Sequence, residues 1–378
     1  MKRATIIVID SMGIGAIEDA CDYGDDLTCN TVCNLAEKSG GLNVPNFEKM
    51  GFGNIKDILG VKKTDAPSAN FGIMKMMSKG KDTTTGHWEI AGLVLENPFK
   101  TYEKFPKELI DEFILKTDCK NILGNIPASG TKIIEDLHKI HSQTKFPIVY
   151  TRADSVFQIA VDIDVIPLET LYNWCKIARQ ILDDGNYGVS RVIARPYQMI
   201  DGKPTRIGKF RHDYSVPPPS DTLLNKVEKV GKKVLSIGKI KDIFVNSGVS
   251  EAIPTGNNKE GLEATVKSLK EKKWDLIFTN LVDTDMLFGH RRDVMGYKNA
   301  IEQIDSYLPQ ILETLDEDDL LIITADHGCD PTFRGTDHTR EMVPILVYNK
   351  GIKKGSNLGV MPSFTYVSDT VKSWLDIK

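Results

Sequence analysis

Ala4-Thr5-Ile6-Ile7-Val8-Ile9-Asp10 is a short apolar run closed by a carboxylate. The run reads as a β-strand. The same design recurs at Asp275 to Val282, which leads to Asp285 and His290, and at Leu320 to Ala325, which leads to Asp326, His327 and then His338. Open α/β sheets place their sites outside the carboxyl ends of their strands. Three distant segments therefore point to one edge of one sheet. A fourth, Asp82-Thr83-Thr84-Thr85-Gly86-His87, follows a predicted strand over Asn70 to Met77 and adds hydroxyls to the carboxylates and imidazoles.

Helices are expected over Thr31 to Lys38, Asp221 to Val230, Glu260 to Lys272, Val294 to Leu315 and Ser368 to Leu375. Further strands are expected at Lys233 to Ile237 and Met342 to Tyr348, and Trp88 to Leu93 reads as helix or tight turn. Strands that alternate with helices make a sheet that is parallel in the main. Past Pro98 the texture changes to shorter elements: Pro106 to Lys116, Gly130 to His141 with Ser129 as N-cap, Phe146 to Arg152, Leu168 to Leu182 and Ser190 to Arg195. At 378 residues the chain exceeds one domain of roughly 150 residues. We read 1–97 and 217–378 as the two parts of a core domain and 98–216 as a domain inserted between them. Pro217-Pro218-Pro219 is a stiff, donor-poor stretch suited to a hinge or linker.

With 48 Lys and Arg against 52 Asp and Glu, the formal charge is −4. No global field recruits nucleic acid or an anionic membrane, and no protein partner is evident. Local basic residues must then handle any anionic substrate. The apolar run after Arg3 is too short for a signal segment and ends on an acid, and no run approaches the roughly 18 apolar residues of a spanning helix. The 6 cysteines have neither a disulfide framework nor paired C-x-x-C spacing, so a reduced cytoplasmic location is expected.

Asp10, Asp285, His290, Asp326, His327 and His338 supply enough oxygen and nitrogen donors for two divalent ions without a thiolate. Two ions can clamp the attacking and leaving oxygens of a phosphoryl transfer. In the extended stretch Ala325-Asp326-His327, neighbouring side chains are expected on opposite sides, serving different shells of a cluster. Asp285 and His290, five apart, suit a loop better than one helical face. Taken singly, a strand-end Asp is more often a cap or turn former and a lone His a surface or hydrogen-bonded core residue. Their joint appearance at three strand ends outweighs that reading. One threonine hydroxyl could be a nucleophile at a helix N-terminus, where N–H groups favour a phosphate, against the plainer reading of a capping sequence.

These residues resemble the alkaline phosphatase superfamily of metalloenzymes and, within it, the phosphopentomutase family. Ile7 to Ala16 (IVIDSMGIGA) resembles its opening motif and Gly80 to Glu89 (GKDTTTGHWE) its nucleophile motif. Val282 to Asp293, Thr324 to Thr332 and Gly335 to Glu341 resemble its metal loops. The resemblance spans nearly the whole chain. It implies an alkaline-phosphatase-like α/β core, with a mainly parallel sheet flanked by helices, and an inserted α+β cap domain. One metal would take Asp10, Asp326, His327 and the nucleophile; the other would take Asp285, His290 and His338. Two Mn2+ ions are the family's usual complement. Superfamily relatives place the nucleophile directly after Asp or Asn, which selects Thr83, with Thr84 and Thr85 as alternatives.

In the inserted segment, Tyr150 to Gln158 and Ser190 to Pro196 resemble substrate-facing segments. By that match Asp154 would contact sugar hydroxyls and Arg191 a phosphate, with Arg206 and Lys239 as further phosphate contacts. Two positions depart from the family pattern: Thr284 stands where an aromatic is common, and Arg152 where a small residue is common. Neither departure is expected to touch a ligand; both bear on the rim of the site. The implied activity interconverts ribose 1-phosphate and ribose 5-phosphate, or their 2-deoxy equivalents, through a phosphothreonine and a bisphosphate. A sugar bisphosphate such as glucose 1,6-bisphosphate would prime it. Rival readings are a metal-dependent phosphatase, another phosphomutase such as phosphoglycerate mutase, or a non-catalytic binding protein.

Overall fold

β1 (Arg3–Ile9) is buried along its whole length, as a strand covered on both faces must be. In the computed structural model, which describes residues 2–152 and 155–378, the chain forms two compact units: residues 1–97 with 217–378, and residues 98–216. The first unit holds β1 and β2 (Asn70–Met74). The second holds β3 (Leu123–Pro127), β4 (Ile148–Thr151), β5 (Val156–Asp162), β6 (Arg191–Ile200), β7 (Lys203–Arg206) and β8 (His212–Ser215). The first unit then resumes with β9 (Val234–Ile237), β10 (Glu251–Ile253), β11 (Leu276–Leu281), β12 (Asp319–Thr324), β13 (Val343–Tyr348) and β14 (Asn357–Met361).

The sheet of the first unit runs β10-β9-β11-β1-β12-β13-β2-β14. Every adjacent pair is parallel except the two made by β13, which is antiparallel to β12 and β2. Registration of Ile9 with Leu281, and of Val8 with Thr324, brings the carboxyl ends of β11, β1 and β12 level. Residues that follow these strands therefore emerge at one edge. Because β13 is inverted, the residues that precede it reach that same edge, which is how His338 arrives beside residues that follow β12. The helix Val294–Thr314 buries Tyr297, Ala300, Ile301, Ile304, Leu308 and Ile311, a three-to-four spacing that lines one face. Each large apolar side chain so buried contributes roughly 1.5–3 kcal/mol. β10 and β14 go beyond the expected elements: they are short strands at the two sheet edges, with no apolar run to announce them.

The second unit has a mixed sheet, β3-β4-β5-β6-β7, with β8 also on β6. Alternation assigns its two faces. Val149, Phe157, Ile159, Val161, Val192 and Ala194 pack in the larger core with residues of the helices Lys107–Thr117 and Leu168–Asp184. Ile148, Tyr150, Ala160 and Tyr197 pack in a smaller core with Ile133 and Ile134 of the helix Gly130–Thr144. Ser129 occupies the N-cap of that helix, but its side chain makes no capping hydrogen bond.

Candidate active site

The helix Thr83–Ile90 starts at the first threonine, five residues before the expected Trp88. Asp82 is its N-cap: one carboxylate oxygen accepts from Thr85 N at 3.1 Å and the other from Thr85 Oγ1 at 2.5 Å. Thr85 is thus buried and engaged in capping, whereas half-buried Thr83 points Oγ1 at His327 Nε2, 3.1 Å away. The helix can pass this close only because Gly86 has no side chain; a Cβ there would lie 2.1 Å from the Asp326 carbonyl oxygen.

The structure brings Asp10, Asp285, His290, Asp326, His327 and His338 together at the carboxyl edge. His327 Nε2 lies 3.5 Å from Asp10 Oδ1 and 3.2 Å from Asp326 Oδ2. Asp285 faces His338 Nε2 at 3.3 Å and His290 Nε2 at 3.4 Å. The rings of His327 and His338 have centroids 3.9 Å apart, and those of His338 and His290 4.7 Å. Two expectations fail here. Asp326 does not point away from His327: the chain bends at Asp326 after leaving β12, which turns both side chains to one cluster. The stretch from Asp285 to His290 is not a loop but a single π-turn, Thr284–Gly289, closed by His290 N donating to Asp285 O at 3.2 Å. An i→i+5 turn stacks residues five apart, so this spacing aligns the pair.

Backbone strain and buried polar contacts hold the candidate ligand side chains. Ser11, next to Asp10, has φ +67°, a conformation kept where the surroundings over-determine it. Tyr297 supplies that restraint, its hydroxyl donating to Ser11 O at 2.8 Å and lying 2.9 Å from Ser11 Oγ. Thr284 Oγ1 donates to the Asp10 carbonyl at 2.6 Å, so this departure from the family pattern touches a candidate ligand and is buried rather than on the rim. Asn280 Nδ2 donates to Asp10 Oδ2 at 2.9 Å and lies 3.2 Å from His87 Nε2. His87 Nδ1 in turn donates to Thr83 O at 2.9 Å and sits 3.1 Å from Asp326 Oδ2.

This donor set fits divalent cations. His290 Nδ1 donates to Thr336 O at 2.6 Å and His327 Nδ1 to Gly328 O at 3.0 Å, so in both rings Nε2 is the nitrogen turned to the carboxylates and the one that a metal would take in place of a proton. Asp10 Oδ1, Asp285 Oδ1, Asp326 Oδ2 and His338 Nε2 are buried without a hydrogen-bond partner among the described residues. Such atoms carry a desolvation cost that a cation would offset. The sets Asp10/Asp326/His327 and Asp285/His327/His338 each bring three donor atoms within 4.8 Å of one another. Titration tells the same story. Burial, then the charges of Asp326 and Asp285, push Asp10 up to about 7, with His327 and then Lys239 opposing part of the rise. Burial disfavours a charged His327, but Asp326, Asp10 and Asp285 outweigh it and raise the imidazole to about 10. Protons there supply positive charge that the carboxylates demand.

Lys239, half-buried just after β9, belongs to the same edge of the first unit. Arg191 and Arg206 lie on β6 and β7 of the second unit, and Asp154 lies outside the described residues. Several supporting residues carried no role in the sequence reading. Arg340 is fully buried and donates to Asp19 and to the carbonyls of Met76, Ser78 and Gly80, pinning the backbone that leads into the threonine loop. Glu341 accepts from Gly15 N, Thr31 N, Thr31 Oγ1 and Thr339 Oγ1, joining the first turn to the last loop. Both stand inside a quoted motif, which was the available signal. Asn280 lies within a strand and gave none.

The Metalloenzyme superfamily profile matches residues 2–378. A phosphopentomutase of Carboxydothermus hydrogenoformans is 52% identical over 373 residues, covering 98% of this chain and 95% of that protein. One from Caldanaerobacter subterraneus subsp. tengcongensis is 50% identical over 376 residues, covering 98% and 93%. Among solved structures, the PH0037 protein of Pyrococcus horikoshii superposes with a TM-score of 0.51 at 14% identity, covering 99% of this chain and 97% of that one, a likeness of fold. Full-length identity at this level, with a candidate divalent-metal cluster at the sheet edge, places the chain in the phosphopentomutase family of the metalloenzyme superfamily.

Proposed function

We propose that this enzyme interconverts ribose 1-phosphate and ribose 5-phosphate, and the 2-deoxyribose equivalents, with Thr83 as the phosphoryl carrier. The observation that carries the reading is the Thr83 hydroxyl, 3.1 Å from His327 Nε2 at the start of a helix. Phosphothreonine formed there would face N–H groups of the first turn, which favour a phosphate. Asp10, Asp326 and His327 would hold one divalent ion and Asp285, His290 and His338 the other, with manganese as our choice because carboxylate and imidazole suit it. When bound, the pair would clamp the attacking and leaving oxygens and offset charge on the transferring group.

The phosphoryl group passes from Thr83 Oγ1 to the 5-hydroxyl of ribose 1-phosphate, whose proton goes to the freed threonine oxygen. The resulting 1,5-bisphosphate reorients and returns its 1-phosphate to Thr83 Oγ1, whose proton goes to the freed anomeric oxygen, and ribose 5-phosphate leaves. A sugar bisphosphate such as glucose 1,6-bisphosphate charges a resting enzyme. His87 and Asn280 keep Thr83, Asp10 and Asp326 in one register during both transfers. Residues 98–216 act as the cap that excludes water, with Asp154, Arg191 and Arg206 on the sugar phosphate and Lys239 as a further phosphate contact. Water reaching the phosphothreonine would turn the mutase into a phosphatase.

The test is a coupled assay for ribose 5-phosphate formation, with manganese and a trace of glucose 1,6-bisphosphate, following free phosphate in the same tube. Isomer with little free phosphate is expected, falling by at least about 10^3-fold in a folded Thr83→Ala protein. Free phosphate without isomer would make the enzyme a phosphatase. Full activity in the variant would move the carrier role to Thr84 or Thr85.

A further inference from the structure

Lys81 stands two residues before Thr83 and is largely withdrawn from water, with 17% of its side chain exposed. Lysine is seldom buried this far unless it is paired. Its ammonium has three donors. It faces three acceptors: Tyr23 O at 3.0 Å, Asp25 Oδ1 at 3.0 Å and Asp337 Oδ2 at 3.3 Å. Tyr23 and Asp25 belong to the chain that follows the first turn, and Asp337 directly precedes His338. One ammonium thus ties the threonine segment to two others, all within the first unit.

The second oxygen of each carboxylate decides what the tie does. Asp25 is buried, and its other oxygen accepts from Arg340 N at 2.7 Å. Asp337 turns its other oxygen back to accept from His338 N at 2.9 Å. Through one carboxylate each, Lys81 therefore reaches the backbone N–H groups of His338 and Arg340. The same loop is held from the metal face, where His290 Nδ1 donates to Thr336 O at 2.6 Å and Cys329 Sγ to Asp337 O at 3.6 Å. Lys81 adds the link from the segment that carries Thr83. A positive charge beside a donor set that fits divalent cations repels them. Its placement is explained by what it holds, not by its field.

We infer that Lys81 is a positioning residue: through Asp337 and Asp25 it sets His338, and the metal ion His338 would hold, in register with Thr83. The inference rests on the metal assignment of His338 proposed above and does not need the mutase reaction.

The experiment titrates full-length protein with Mn2+ and follows free Mn2+ by electron paramagnetic resonance. His338→Gln identifies the binding step that His338 serves. Lys81→Met is expected to weaken that step by about tenfold or more, the scale of contacts behind a metal ligand, and to leave the other step unchanged. The sign is decisive, because a lysine acting only through its charge would leave Mn2+ bound more tightly once removed. Unchanged or tighter binding overturns the proposal. Lys81→Arg should recover part of the affinity. Asp337→Asn should weaken the step by a factor at least about threefold smaller in Lys81→Met than in the parent. Equal factors would show two independent charges and overturn the tie. Lys81→Gln can still donate to Tyr23 and Asp25, so it answers the question if Lys81→Met does not fold; parental Mn2+ affinity there also overturns the proposal. At saturating Mn2+, kcat for isomerisation should fall about tenfold with KM unchanged. A raised KM with intact kcat would make Lys81 a substrate contact and overturn the positioning role. If His338→Gln still binds both ions, the metal assignment falls and this inference with it. If His338→Gln loses one ion while Lys81→Met binds as the parent does, this inference alone falls. The Mn2+ result holds in a protein that never isomerises, so failure of the mutase reading leaves it standing.

Discussion

Arg340 and Arg195 are the same residue in two different settings. Arg340 is fully buried in the first unit, with Asp19 and carbonyls of three residues taking up its donors. Arg195 is part-buried in the second unit with a hydrogen bond to Gln158 through one edge of its guanidinium. A cation whose donors are all taken by its own chain is architecture, while one held through Nε alone is less firmly tied into its unit. The contrast extends to their surroundings. At the sheet edge Asp10, Asp326 and His290 are fixed by hydrogen bonds with Asn280, Ser11 and Thr336 of other segments, whereas Arg195 is held through a single neighbouring strand.

Replacing Arg340 should break the first half of this contrast most severely. Arg340→Met strands the Asp19 carboxylate and the carbonyls of the loop behind Thr83, and we expect a loss of about 3–5 kcal/mol in urea unfolding. A loss under about 1 kcal/mol would mean that water replaces the guanidinium and that the loop is not pinned. Asn280→Leu keeps the volume but removes the amide between Asp10 and His87. Such outer contacts typically contribute 10–100-fold in metal affinity, and a manganese titration should show a fall in that range.

The second unit offers a pH-dependent version of the comparison. His141 is buried, with Nδ1 donating to Phe146 O at 2.7 Å and Nε2 accepting from Asp162 N at 3.0 Å. Burial lowers its pKa below the usual 6.5. The folded state therefore prefers the neutral ring, and its contribution to stability is fully present above about pH 6.5. It is lost as the pH falls from there through the lower folded value. Urea midpoints measured between pH 8 and 5 should drop for the parent and drop less for His141→Gln. Smallest of all should be Arg206→Ala, since Arg206 is exposed. Its effect on stability should stay within about 0.5 kcal/mol while phosphate affinity falls. A larger change in stability would make Arg206 architecture like Arg340.

What could be read from the sequence follows from the same physics. Asp10, Asp285 and Asp326 announce themselves because an apolar strand ended by a carboxylate is a local pattern, and parallel neighbours bring such ends level. Order alone gave most helices to within a residue or two, Val294–Thr314 among them. The π-turn at Thr284–Gly289 was invisible, because one extra residue in a turn leaves no periodicity to detect. Asn280 was hidden for a related reason: a polar residue inside a buried strand looks like noise until the fold shows what it faces. The inversion of β13 was equally silent, since strand direction depends on partners far along the chain.

That inversion has a consequence for how the molecule can change over evolutionary time. β12 ends and β13 begins at the same edge, and the connecting chain is drawn closed where Gly328 and Thr339 exchange backbone hydrogen bonds of 3.1 and 2.8 Å. His327 and His338 stand just outside and just inside this neck. Beyond it, Arg334 and Gly335 are exposed. Doubling the length of a flexible loop costs only about 0.6 kcal/mol of closure entropy. Residues inserted at Arg334–Gly335 would therefore lengthen the surface without separating the two histidines, leaving that loop tip open to variation while the chemistry behind the neck stays the same.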